Sequence, residues 1–121
     1  MRSRMSLSKA ERGALGLYIE GLRASLPHKL VSVILFGSKA RGTASRSSDT
    51  DVAVVVTGNK SPALRMSLAD SAFEPIARFG VDISPLLVTT SEFRSDSPFS
   101  KNLRKEGILL WSKNKNLLNA A

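Results

Sequence analysis

The sequence contains no cysteine and a single histidine, His28. The missing cysteines exclude a disulfide framework, thiol catalysis and a cysteine-built zinc site, and one histidine excludes a site built from several histidines. No apolar run approaches the ~20 residues that a membrane-spanning helix needs. The basic N-terminal stretch is not followed by the apolar segment of a signal peptide. We therefore expect a cytoplasmic protein with no membrane partner.

Acidic residues are scarce relative to basic ones. The 121 residues include 18 Lys and Arg against 10 Asp and Glu, which gives a formal net charge of +8. This excess favours an anionic partner such as a nucleotide, a nucleic acid or an acidic protein surface, whereas the alternative is a basic surface that only promotes solubility. The length predicts a single domain over 1–121, with a core at about 6–111 and flexible tails at 1–5 and 112–121.

Helical patterns occur at both ends and in the middle of the chain. A capping box at Ser8 and Glu11 predicts the start of a helix that ends near Pro27. A second helix is predicted over 62–80, with Pro75 kinking or splitting it. Shorter helical pieces are predicted at 38–41 and 97–105.

Strand patterns lie between these helices. Short apolar runs rich in β-branched residues predict strands at 31–36, 51–57, 81–89 and 107–111. Pro85 places the third of them at a sheet edge or a bulge, because proline cannot donate a ladder hydrogen bond. The alternation predicts an α/β (α+β) fold with a small mixed β-sheet of three or four strands flanked by helices.

The segment after the first predicted strand has the features of a phosphate-binding turn. Gly37 and Ser38 follow that strand directly, where a turn and the start of a helix expose backbone N–H groups. Gly37 permits close approach of a ligand, and the Ser38 hydroxyl is a further donor. Lys39 and Arg41 bring positive charge, so we expect all four residues to bind nucleotide. The alternative for the two cations is a solvated loop.

Two carboxylates mark the start of the second predicted strand. Asp49 and Asp51 stand at i and i+2, which puts their side chains on one face with Cα atoms roughly 6.6–7 Å apart. Neighbouring carboxylates repel each other unless a cation lies between them, and Mg²⁺ prefers such oxygen ligands. If the second and third strands are neighbours, Asp82 completes a triad that can hold two metals about 3.5–4 Å apart. Turn-forming or solvent-facing acids are the alternative for all three.

The spacing of these residues resembles a known family signature. Gly37-Ser38, ten residues and then Asp49-Thr50-Asp51 match the pattern of the DNA polymerase beta-like nucleotidyltransferase superfamily. The wider text, with FGSKARG at 36–42, SDTDV at 48–52, VDISP at 81–85 and KEGILLW at 105–111, is similar to the minimal nucleotidyltransferase subgroup. The resemblance covers about residues 30–111 and implies the polymerase beta-like fold.

The resemblance also implies roles for the site residues. Gly37 and Ser38 would hold the nucleoside triphosphate, Asp49 and Asp51 would bind Mg²⁺, and Asp82 would be a third metal ligand or the general base. The implied reaction moves AMP from ATP to an acceptor hydroxyl with Mg²⁺ as cofactor. Many minimal members are antitoxins paired with a HEPN-domain RNase toxin, so we expect such a toxin as partner in a hetero-oligomer that completes the acceptor site.

Two other functions remain open at this point. A small-molecule nucleotidyltransferase, for example one that modifies an antibiotic, normally carries a second helical domain, for which 121 residues leave no room. A binding module without catalysis would neutralise its partner by steric cover alone. The sequence determines neither the acceptor nor the choice of ATP over other triphosphates. Direct nucleic-acid binding has in its favour the net charge and the basic residues Lys101, Arg104 and Lys105 of the predicted helix at 97–105, whose alternative is a charged outer face.

Overall fold

The computed structural model describes residues 7–43 and 49–113 and contains one mixed sheet. Its strands, in the spatial order β3-β2-β1-β4, are β1 (Leu30–Phe36), β2 (Thr50–Val56), β3 (Ile83–Thr89) and β4 (Ile108–Ser112). β1 pairs antiparallel with β2 and with β4, whereas β2 and β3 are parallel. The predicted small mixed sheet is therefore confirmed, and Pro85 lies on the edge strand β3 as expected.

Helices cover both faces of this sheet. In chain order they are α1 (Lys9–Ser25), α2 (Gly37–Arg41), α3 (Pro62–Phe79), α4 (Thr90–Phe93) and α5 (Pro98–Glu106). The long helices α1 and α3 pack together against one face. There the hydroxyl of the fully buried Tyr18 donates a hydrogen bond to the carbonyl oxygen of Leu68, at an O···O distance of 3.1 Å. The short helices α4 and α5 contribute Phe93 and Leu103 to a second cluster on the other face.

The central strand β2 shows why the sheet is covered twice. Its residues Val52 to Val56 are all 0% exposed. Val52, Val54 and Val56 belong to the cluster beneath α1 and α3, while Ala53 and Val55 belong to the cluster beneath α4 and α5. Side chains alternate between the two faces of a strand, so an unbroken apolar run is the pattern of a strand buried on both sides.

Local sequence signals account for several of the helix ends. The capping box between Ser8 and Glu11 is present at the start of α1, and Ser61 and Ser97 cap α3 and α5. Gly80 ends α3 in the left-handed conformation, at φ 66°. These side chains and the glycine satisfy backbone groups that a helix end leaves without a partner.

The structure departs from the predicted elements at three places. Helix α3 continues without a break through Pro75, so of the two predicted effects, a kink or a split, the split is wrong. Pro75 is buried, and packing of α3 against α1 and the sheet outweighs the lost N–H. Helix α4 was not predicted, although Thr89 and Glu92 form a capping box there. Ser112 pairs with Ser32 in β4 instead of lying in a tail.

Some predicted segments lie outside the residues that the structure describes. The predicted tail at 1–5 lies outside the described residues, as do the loop segment 44–48 and residues 114–121 of the tail predicted at 112–121. Among the helices of the described residues, none has the length and apolar character needed to cross a membrane.

Candidate active site

The turn between β1 and α2 brings the chain against a carboxylate. Phe36 is still extended, and Gly37 then adopts φ 76°, a conformation that favours glycine. A Cβ atom at Gly37 would lie 2.5 Å from Oδ2 of Asp51. The backbone of Gly37 therefore lies against Asp51, and a side chain at position 37 would displace the carboxylate. The predicted helical piece at 38–41 is confirmed as part of α2.

The carboxylate of Asp51 is held in an unfavourable environment for its charge. Asp51 pairs with Phe36 across the β1–β2 ladder and is half-buried, whereas Asp49 is exposed just before β2. Burial and repulsion from Asp49 raise the pKa of Asp51, and attraction to Arg41 offsets part of this. Thr50, between the two acids, is buried and faces the other way. The paired carboxylates thus suit a cation placed between them.

Asp82 lies beside this pair but is not gathered into a three-carboxylate cluster. The backbone carbonyl of Asp82 accepts a hydrogen bond from the N–H of Thr50 at 2.9 Å, and β2 and β3 are the expected neighbours. The side chain of Asp82 is exposed. Across residues 7–43 and 49–113, no three acidic or histidine side chains are close enough together to hold a metal ion. The predicted triad is therefore not assembled in this structure.

The donor set nevertheless fits Mg²⁺. This ion is commonly held by one or two carboxylates, with water and substrate phosphates completing its octahedral shell. Asp49 and Asp51 supply two carboxylates, and the raised pKa of Asp51 reflects in part the repulsion between them, which a divalent cation would relieve. A third protein ligand is not required when phosphate oxygens are present.

The two predicted phosphate-binding cations have different surroundings. Arg41 is exposed and close enough to Asp51 to lower its pKa. Lys39 is buried instead, and its ammonium group forms an ion pair with Glu11 of α1. The same carboxylate accepts a hydrogen bond from the backbone of Ser8 at 2.8 Å. Burial of Glu11 by itself raises its pKa, but the bonds from Lys39 and Ser8 outweigh this and lower it.

The geometry therefore does not support the predicted contact between Lys39 and nucleotide. The ion pair directs the ammonium group into the interior, toward the first turn of α1. Lys39 instead connects α2 to α1, and Arg41 is the cation of α2 whose charge lowers the pKa of Asp51.

A cleft next to Gly37 was missed at the sequence level. It lies between α2 and α5, has a volume of about 270 Å³, and we call it the Phe99 cleft. Phe36 and Phe99 meet there edge to face, with ring centroids 5.6 Å apart. Its lining includes Phe36, Gly37, Arg41, Phe99, Asn102 and Glu106. The spacing i, i+3 and i+7 from Phe99 was the available signal, because it puts three side chains on one helix face.

Comparison with known proteins gives one family and a few relatives. The family described as "Polymerase beta, Nucleotidyltransferase" matches residues 23–116. A candidate protein adenylyltransferase from Methanocaldococcus jannaschii is 39% identical over 75 residues, which cover 59% of this chain and 50% of that protein. The match thus spans only half the length of that relative.

Solved structures share the fold. One chain of a toxin–antitoxin with AMP-PNP is 28% identical, with TM-score 0.61 and coverage of 87% of this chain and 77% of that one. One chain of a mutant toxin–antitoxin MntA-HpeT is 25% identical, with TM-score 0.57 and coverage of 84% and 77%. A candidate nucleotidyltransferase from Sulfolobus solfataricus, 22% identical with TM-score 0.53 and coverage of 91% and 93%, shares the fold alone.

Proposed function

The chain belongs to the polymerase beta nucleotidyltransferase family, and we propose that it transfers AMP from ATP to a hydroxyl group of a partner protein. The observation that carries the proposal is the contact between Gly37 and the carboxylate of Asp51. This contact joins the phosphate-binding turn and the acidic pair into one site.

Each residue of the site has a separate role in the transfer of AMP. The backbone of Gly37 and Ser38 and the guanidinium group of Arg41 receive the negatively charged triphosphate. Asp49 and Asp51 would hold Mg²⁺, which when bound neutralises charge on the phosphates. The acceptor oxygen forms a bond to the α-phosphorus, the bond to the β-phosphate oxygen breaks, and pyrophosphate leaves. Asp82, exposed beside the pair, accepts the proton of the acceptor hydroxyl.

The proposed acceptor is a toxin of the HEPN class. Support for a toxin as the partner comes from the two structural relatives at 25% and 28% identity, which are chains of toxin–antitoxin structures. Support for the modification of a protein comes from the M. jannaschii relative, and the HEPN class follows from the resemblance to minimal nucleotidyltransferases. The exposure of Asp82 next to the edge strand β3 leaves the acceptor side of the site open to a second protein. The protein would then act as an antitoxin that modifies its toxin.

Intact-mass spectrometry of the protein encoded by the neighbouring gene tests this proposal. That protein is incubated with the chain, ATP and Mg²⁺, and a gain of one or more AMP units is expected. The Asp49→Asn/Asp51→Asn variant should abolish the gain. Asp70→Asn is the matched control, because Asp70 is exposed on α3 and has no place in the site.

The outcomes separate the candidate functions. Addition of AMP by the wild type and by the Asp70→Asn control, but not by the double variant, would support protein adenylylation. An unchanged mass, with the two proteins still co-purifying and the toxin still inhibited by the double variant, would overturn the proposal in favour of steric cover. Loss of the gain on addition of a metal chelator is expected as well.

A further inference from the structure

The Phe99 cleft opens directly from the proposed phosphate site. Gly37 and Arg41 line the cleft and also belong to the site, so a ligand bound at the turn can extend into the cleft without a gap. On the opposite wall Phe99 is 41% exposed, although it is one of the largest apolar side chains of the chain. An exposed aromatic ring in a concave site is a platform for a flat apolar ligand.

The opposite wall is held in place by hydrogen bonds. The guanidinium group of Arg104 donates to the carbonyls of Phe93 and Ser95, the latter at 2.8 Å. The Ser100 hydroxyl donates to the carbonyl of Glu92 at 2.5 Å. These bonds connect the first turn of α5, at Ser100, and its last turn, at Arg104, to α4 and to Ser95 just after it. The ring is therefore positioned before any ligand binds, which reduces the entropy lost on binding.

Polar groups stand beside the aromatic platform. Asn102 and Glu106 lie one helical turn apart on the face of α5 that lines the cleft. An amide side chain complements an adjacent donor and acceptor, as on the N6 and N7 edge of adenine. A carboxylate accepts hydrogen bonds only, so it favours an amino group and disfavours the carbonyl that guanine presents on the same edge.

We propose that the Phe99 cleft binds the nucleobase of the triphosphate, with the base against Phe99 and its edge on Asn102 and Glu106. This inference rests on the proposed function, because the triphosphate must occupy the site at Gly37. It identifies the Phe99 cleft as the part of the site that selects the nucleotide, with adenine favoured over guanine. The sequence alone leaves that choice open.

Calorimetry with two ligands tests the assignment. Binding of ATP and of inorganic tripolyphosphate, each with Mg²⁺, is measured for the wild type, Phe99→Ala and Phe99→Tyr. Stacking of a base on an aromatic ring is strong enough that Phe99→Ala should weaken ATP binding about 10-fold. Tripolyphosphate binding should not change, and Phe99→Tyr should bind ATP nearly as the wild type does. Phe73→Ala is the matched control, because Phe73 is 75% exposed on α3.

The possible results distinguish this inference from the proposed function. If the wild type binds neither ligand, the proposed function fails and the inference falls with it. If the wild type binds both but Phe99→Ala leaves ATP affinity unchanged, or if GTP binds as tightly as ATP, the base assignment is wrong and the phosphate site stands. Unchanged ATP affinity with loss of AMP transfer would instead place the partner's acceptor side chain in the cleft.

Discussion

Replacing Gly37 by alanine should weaken ATP binding, whereas replacing Gly80 by alanine should cost similar stability and leave ATP binding intact. Gly37 and Gly80 both have positive φ, at 76° and 66°. Alanine at either position adopts an unfavourable conformation, with a net loss in the free energy of unfolding of ~1 kcal/mol. The surroundings differ, because a Cβ at Gly80 meets nothing within 4 Å, whereas at Gly37 it lies 2.5 Å from Oδ2 of Asp51.

The atom in the way is the end of a side chain, so Asp51 can rotate at little further loss of stability. The carboxylate is then misplaced for Mg²⁺. We expect Gly37→Ala and Gly80→Ala to lose similar stability in urea denaturation, while only Gly37→Ala loses Mg²⁺-dependent ATP binding, by at least about 10-fold. Calorimetry in parallel measures the affinity. Wild-type ATP affinity in Gly37→Ala would refute the reasoning that joins the turn to Asp51.

Three further outcomes are expected. Lys39→Met leaves a largely buried Glu11 unpaired and should lower the free energy of unfolding by about 2–3 kcal/mol. The double variant Lys39→Met/Glu11→Gln should recover most of this loss. Additive losses of the two substitutions in urea denaturation would contradict the pairing. Because the pKa of Glu11 is lowered in the folded protein, the pair of Glu11 and Lys39 stabilises the fold at neutral pH, and this stabilisation is lost as the pH falls through the lowered pKa. Equal acid sensitivity of the wild type and Glu11→Gln in pH-dependent unfolding would argue against this. Because the pKa of Asp51 is raised, Asp51→Asn should stabilise the metal-free protein against urea while lowering AMP transfer at least about 100-fold. A variant less stable than the wild type would show that the charge of Asp51 does not destabilise the fold.

Elements with strong local signals were predictable. Ser8 and Glu11 form their capping box, Gly80 ends its helix, and the four strands lie within about two residues of their predicted bounds. A capping box, a glycine that permits positive φ and a short β-branched apolar run are all signals carried by neighbouring residues, which the sequence displays directly. The unbroken course of α3 through Pro75 was not predictable, because burial against other elements outweighed a local preference.

The candidate site was predictable in part. The spacing of Gly37-Ser38 and Asp49-Thr50-Asp51 pointed to the family, and the match over residues 23–116 confirms that resemblance. The role of Lys39 was not visible, because its partner Glu11 is 28 residues away along the chain. A local window shows Lys39 next to the turn and gives no sign that its ammonium group is directed inward.

The sequence by itself determined the family, the order of the strands and of the described helices other than α4, and the carboxylates and glycine turn that lie at strand ends. These follow from periodicity, capping and spacing, which act over a few residues. Only the tertiary structure decided which groups meet: Gly37 against Asp51, Lys39 against Glu11, and Phe99 across from Arg41. Such contacts depend on how separate elements pack on the sheet, and packing joins residues that are distant in the chain.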